Sequence, residues 1–166
     1  MAECDEKTIY VDTREHEKER LRVMEQIHKR GRKTMLKKLD VGDYALHGND
    51  RVSVDRKKNL DELAKNMCTK DSGRFWREIR LAHERGIKLY ILCEHGGKYH
   101  TLEDVKMYKS KYMQRLNGRE LADRMFRMHV AYGVEFVFCG KKETGKIIIK
   151  LLEGYGNDGA LQGSKG

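Results

Sequence analysis

The chain has no proline in 166 residues, one tryptophan, and four cysteines scattered at positions 4, 68, 93 and 139. Without proline, helix ends fall to glycine and to polar caps. The cysteines form no CxxC pair, so a reduced, intracellular protein is expected. No apolar run approaches the roughly 18 residues of a membrane-spanning helix, and no membrane partner is expected. The start, MAECDEKTIYV, has neither the basic opening nor the apolar core of a signal peptide.

What is abundant is charge. Lysine and arginine total 35 against 26 acids, giving a net charge of +9 and a pI near 9.4. Such a surplus favours a polyanionic partner, nucleic acid first and an acidic membrane surface second. The length fits one domain that buries its own core.

Hydrophobic periodicity predicts the order β-α-β-β-α-α-β-α-β-α. KTIYVD (7–12) reads as a strand and EHEKERLRVMEQIHKRG as a helix, with Leu21, Met24 and Ile27 inward and Gly31 as its stop. Residues 34–47 and 51–58 read as two strands of a hairpin around the turn GND. Asn59 with Glu62 three residues on forms a capping-box pattern. SGRFWREIRLAHERG is a second amphipathic helix with Phe75, Ile79 and Ala82 inward. A buried strand KLYILCEH, a helix with Leu121, Met125, Met128 and Val130 inward, a strand VEFVFCG and a final helix complete the order. This alternation predicts an α/β domain with one mixed central sheet flanked by helices, spanning 1–153. A Gly-rich tail, 154–166, is expected to be disordered.

The stretch VGDYALHGNDRVSVDRKK, 41–58, carries the chemistry. With a period of two, Ser53, Asp55 and Lys57 share one face of their strand, and Val52, Val54 and Arg56 share the other. Asp43 lies across the hairpin from Asp55. Two carboxylates supply hard oxygen ligands for Mg²⁺ or Mn²⁺, which keep several waters and accept a phosphate oxygen. A neighbouring lysine neutralises phosphoryl oxygens or orients a water. This suits metal-assisted phosphodiester hydrolysis, as in the PD-(D/E)xK pattern. From this motif alone a solvated strand face laced with ion pairs is the favoured reading, since Asp-x-Lys arises by chance in so charged a chain.

Further motifs add to the pattern: VDTRE (11–15) before it, Asp61 after it, then SGRF (72–75) and YILCEHG (90–96). Together they resemble the XPF-type structure-specific endonuclease family, which includes the archaeal Hef nuclease. Its signature, Gly-Asp, a gap, Glu-Arg-Lys, three residues and Asp, is met by Gly42-Asp43, Asp55-Arg56-Lys57 and Asp61. The resemblance implies a restriction-endonuclease-like fold. It also implies DNA as substrate, branched or junction-like, in repair or recombination. On this reading Asp12, Asp43 and Asp55 gather around the metal, Lys57 is the catalytic lysine, and Arg14, Arg56 and Asp61 support the site. Glu15 is a further outer carboxylate. Asp55 departs from the family, where glutamate is usual, and its reach is one methylene shorter.

A catalytically inactive DNA-binding module or partner subunit is the rival reading, and a nuclease with sequence preference is a third. Many family members carry a helix-hairpin-helix module after the nuclease domain, and none fits here. Substrate choice is therefore expected from this domain or from a partner, and a homodimer through the last two helices is expected. HKRGRKTMLKK, with six Lys/Arg in eleven residues, suits a phosphate backbone or plain solubility equally. Tyr99, Tyr108 and Tyr112, interleaved with basic residues, suit core packing better than base stacking. Cys93, His95 and His100 match no zinc-site spacing, and Cys93 reads as a core residue. The GxGxxG at 154–159 has no strand before it and no helix after it.

Overall fold

A computed structural model describes residues 7–69, 72–95, 97–110 and 116–154. The elements are β1 (Ile9–Val11), α1 (Glu17–Lys29), β2 (Thr34–Leu36), β3 (Tyr44–Leu46), β4 (Asn49–Lys57), α2 (Leu60–Cys68), α3 (Ser72–Glu84), β5 (Lys88–Glu94), α4 (Leu102–Val105), α5 (Gly118–Tyr132), β6 (Glu135–Cys139) and α6 (Thr144–Gly154). The strands form one sheet in the order β2-β1-β3-β4-β5-β6. β1 pairs antiparallel with β3, and β3 antiparallel with β4. The β1–β2, β4–β5 and β5–β6 pairs are parallel. The sheet is mixed, as expected.

Helices cover both faces, and alternation along β5 divides the core in two. Leu89, Ile91 and Cys93 pack beneath α2, α3 and α5, with Leu60, Leu63, Phe75, Ile79 and Met125. Tyr90 and Leu92 pack beneath α1 and α6, with Val23, Ile27, Ile148 and Leu152. β5 is buried on both sides, which explains the unbroken apolar run in LYILC. Cys93 is a core residue, and burial raises its thiol pKa. Asn59 caps α2 by accepting from the Glu62 backbone N–H at 2.9 Å. Glu62 returns only a 3.4 Å contact, to Lys58 N rather than to Asn59 N.

Three expectations change. Residues 34–47 are two strands, not one, because β2 and β3 flank β1 on opposite sides. Residues 37–43 must therefore cross the end of β1. Leu21 is 55% exposed and Val130 is 68% exposed. In α1 the inward stripe centres on Val23 and Ile27, which are four apart. In α5 Val130 stands about 200° round the helix from Met128, on the far side from Leu121 and Met125. Gly154 closes α6. The remaining tail residues, 155–166, lie outside the described residues, as does Tyr112. Among the described residues no helix is long and apolar enough to cross a membrane.

Candidate active site

The carboxylates meet because of how the chain enters β3. Gly42 has φ +74°, and a Cβ there would lie 2.1 Å from Ser53 Oγ. Only glycine allows both this conformation and this approach to β4. Ser53 Oγ in turn donates to Val41 O at 2.7 Å. The antiparallel register pairs Tyr44 with Val54, so one step further Asp43 stands opposite Asp55. Asp43 N donates to Val54 O, and Arg56 N donates to Asp43 Oδ2, both at 2.8 Å. Tyr44 and Val54 face α1 and α6. Asp43, Asp55 and Lys57 therefore face α2 and α3.

Lys57 Nζ lies 3.3 Å from Asp55 Oδ2 and 5.2 Å from the centre of the Phe75 ring. Burial works against its charge, but Asp55 and Asp43 outweigh that and hold its pKa above the ordinary lysine value. Asp43 is pushed the other way for a carboxyl. Burial, then the neighbouring Asp55 and Glu15 charges, raise its pKa well above the ordinary value. Two acids in contact, sharing one lysine, leave an excess of negative charge, so a proton binds more tightly here than on a free carboxyl.

A third carboxylate enters from α3. Glu78 accepts from the backbone N–H of Gly42, and its pKa is raised by burial and by Asp55. It thereby clamps the turn that presents Asp43. Sequence reasoning missed Glu78. Its signal was an acid on the inward stripe between Phe75 and Ala82, where an apolar residue is the rule.

Asp12 is buried, but its carboxylate is engaged. Arg14 donates to it from Nε and from Nη2, the latter at 3.0 Å, and Leu39 N contacts it at 3.4 Å. Arg14 also donates to Leu39 O. This pair pins the crossing segment 37–43 and so fixes where Asp43 emerges. Arg56 turns to the opposite face. Its guanidinium takes Glu15 with two hydrogen bonds of 2.9 and 3.1 Å, and Glu94 with one of 2.7 Å. Arg22 and Thr144 also bond Glu94. Only the backbone N–H of Arg56 reaches the carboxylate pair. Asp61 accepts from Tyr108 Oη and lines a cavity of about 510 Å³ with Lys58, Glu62 and Lys65. Tyr108 is buried, and Tyr99 packs edge-on between it and His95.

Among the described residues no three His, Cys, Asp or Glu side chains are grouped to hold a metal. Asp43 and Asp55 are adjacent across the strand pair and share a single lysine, Lys57. Two carboxylates suffice for Mg²⁺ or Mn²⁺, whose other positions go to water and substrate oxygens. The donor set fits such an ion.

The sheet order and the acid–acid–lysine constellation on one strand pair define a restriction-endonuclease-like α/β domain. Within that class the chain belongs to the ERCC4-domain family, whose model matches residues 11–151. Among solved structures it is similar to XPF from Aeropyrum pernix, with 23% identity and a TM-score of 0.65. That match covers 95% of this chain and 66% of the other. A second structure, XPF from Aeropyrum pernix in complex with DNA, matches at 24% identity and a TM-score of 0.61, over 88% of this chain and 63% of that one. The chain thus spans just under two thirds of the solved chains it resembles. A search of curated protein sequences gives no significant match.

Proposed function

We propose that this chain is a Mg²⁺- or Mn²⁺-dependent DNA endonuclease that cuts branched, flap or junction structures in repair or recombination. The carrying observation is the register that sets Asp43 opposite Asp55, with Lys57 two residues further on. The ERCC4-domain match supports it, as does the DNA held by the Aeropyrum pernix relative.

Asp43 and Asp55 would hold the metal. When bound, the ion lowers the pKa of a water and offsets charge that builds on the phosphate. The chain's own residues supply the rest. Arg56 N and the Glu78-clamped turn fix the Asp43 carboxylate, so little reorganisation is needed when substrate arrives. Lys57 keeps its proton and offers a positive charge to a phosphoryl oxygen. Asp12 and Arg14 act on the segment that carries Asp43. Asp61 stands with Tyr108 at the mouth of α2.

α5 turns Phe126 and Val130 outward, an apolar pair suited to a second copy or a partner subunit, and sedimentation velocity separates these from a monomer. The cleavage test uses flap, fork and four-way junction DNA with Mn²⁺. Folded protein that binds these and cuts none would make it the inactive DNA-binding module instead.

A further inference from the structure

A basic cleft lies on the opposite face of the sheet from Asp55 and Lys57. Gln26, Lys29 and Arg30 of α1 and its end line it together with Lys142 and Lys146 at the start of α6, around a volume of about 550 Å³. These two segments are more than a hundred residues apart in sequence. Their meeting is built in. Gln26 donates to Lys141 O at 2.8 Å and accepts from Gly145 N at 2.7 Å. A Cβ on Gly145 would lie 2.5 Å from Gln26 Cβ, so the two helices close to this distance only because residue 145 is glycine.

The result is costly in charge. All four cations are exposed. Lys29 has a partner in Glu25 at 3.4 Å, while Arg30, Lys142 and Lys146 pair with no acid among the described residues. Like charges held together destabilise a fold. Nearby arginines do find acids: Arg22 of α1 bonds Glu19 and Glu94, and Arg32, in the loop after α1, bonds Glu153 of α6.

We infer that this α1–α6 cleft binds the phosphate backbone of a second arm of a branched DNA while the Asp43–Asp55 edge holds the arm to be cut. The inference rests on the function proposed above. Geometry connects the two places. Glu15, ahead of α1, bonds Arg56 of β4, and Thr144, opening α6, bonds Glu94 at the end of β5. Both helices therefore begin at the sheet edge where β4 delivers Lys57. A straight duplex over that edge contacts one face of the sheet. A branched molecule has an arm free to descend the other.

The test is equilibrium binding by the full chain, without divalent metal, of a flap DNA and a linear duplex across a salt series. Lys142→Gln/Lys146→Gln should bind the flap about tenfold more weakly than the parent chain. Its log–log salt slope should fall by about 1.8, from about 0.9 per lost phosphate contact. Linear duplex should bind within about twofold of the parent, and the variant's melting temperature should hold or rise. An unchanged flap affinity and slope would overturn the cleft assignment alone. Equal weakening on flap and duplex would overturn the second-arm role. A parent chain that binds neither DNA would overturn the proposed function itself.

Discussion

β4 presents two charged faces that differ in how their charges are settled. On one, Arg56 is enclosed by Glu15 and Glu94, Glu94 is shared with Arg22 and Thr144, and Glu19 joins through Arg22. Each of these acids has a donor within hydrogen-bond distance. On the other, Asp43, Asp55 and Glu78 face a single lysine, and the pKa values of Asp43 and Glu78 are raised. Neighbouring residues of one strand thus do opposite work. The satisfied face holds α1 and α6 to the sheet. The other face keeps an excess of negative charge, the condition under which perturbed carboxyl pKa values arise.

Breaking the satisfied face should cost most in stability. Arg56→Ala leaves the buried Glu15 carboxylate without its main partner and takes one of three partners from Glu94. Removing one member of a buried ionic network costs about 3–5 kcal/mol. Chemical denaturation should show this loss, and metal should not restore it.

Glu78 sharpens the other side. Glu78→Ala frees the Gly42 turn and should weaken Mn²⁺ affinity about 10- to 100-fold, the usual range for groups that orient ligands. Glu78→Gln keeps an acceptor for Gly42 N–H and should recover most of that affinity in titration calorimetry. A purely electrostatic role for Glu78 would give both variants the same loss.

The smallest effect has an inverted sign. The folded chain binds the Asp43 proton more tightly than the unfolded chain does, because its folded pKa is raised. Without metal, that contribution is present below the ordinary pKa of 3.8 and is lost as pH rises through the raised value. Asp43→Asn should therefore stabilise the metal-free protein at neutral pH, by roughly 0.2–1 kcal/mol as for a relieved cross-strand like-charge pair. The Arg56 N contact survives, since asparagine retains the oxygen. Thermal melts in chelator at pH 4 and pH 7 would show the gain only at the higher pH.

Much of this was legible in the sequence. The Asp55–Lys57 alternation followed from strand period alone, and the sheet's mixed character followed from the 41–58 hairpin. Leu21 and Val130 were misplaced because their spacing departs from the helical stripe. Asp12 and Arg14 read as site residues, and what the residues alone did not show was the β2-β1-β3 order, which turns their ion pair into a clamp on 37–43. Arg56 sits between two site residues in sequence and on the other side of the sheet in space. Glu78 was hidden because its partner, a backbone N–H at Gly42, leaves no trace in residue type. The Lys142–Lys146 cleft needed the Gln26–Gly145 contact, which joins distant segments.

The most direct measurement is Mn²⁺-dependent cleavage of a panel of flap, fork and junction DNA by the parent chain, Asp43→Asn and Lys57→Ala. The parent should cut branched DNA. Cutting should fall by about 10²–10³-fold or more in each variant, the scale of losing one group that stabilises transition-state charge. Each variant should remain folded. Full activity in folded Lys57→Ala, or no cutting of any panel member by the folded parent, would contradict the proposed function.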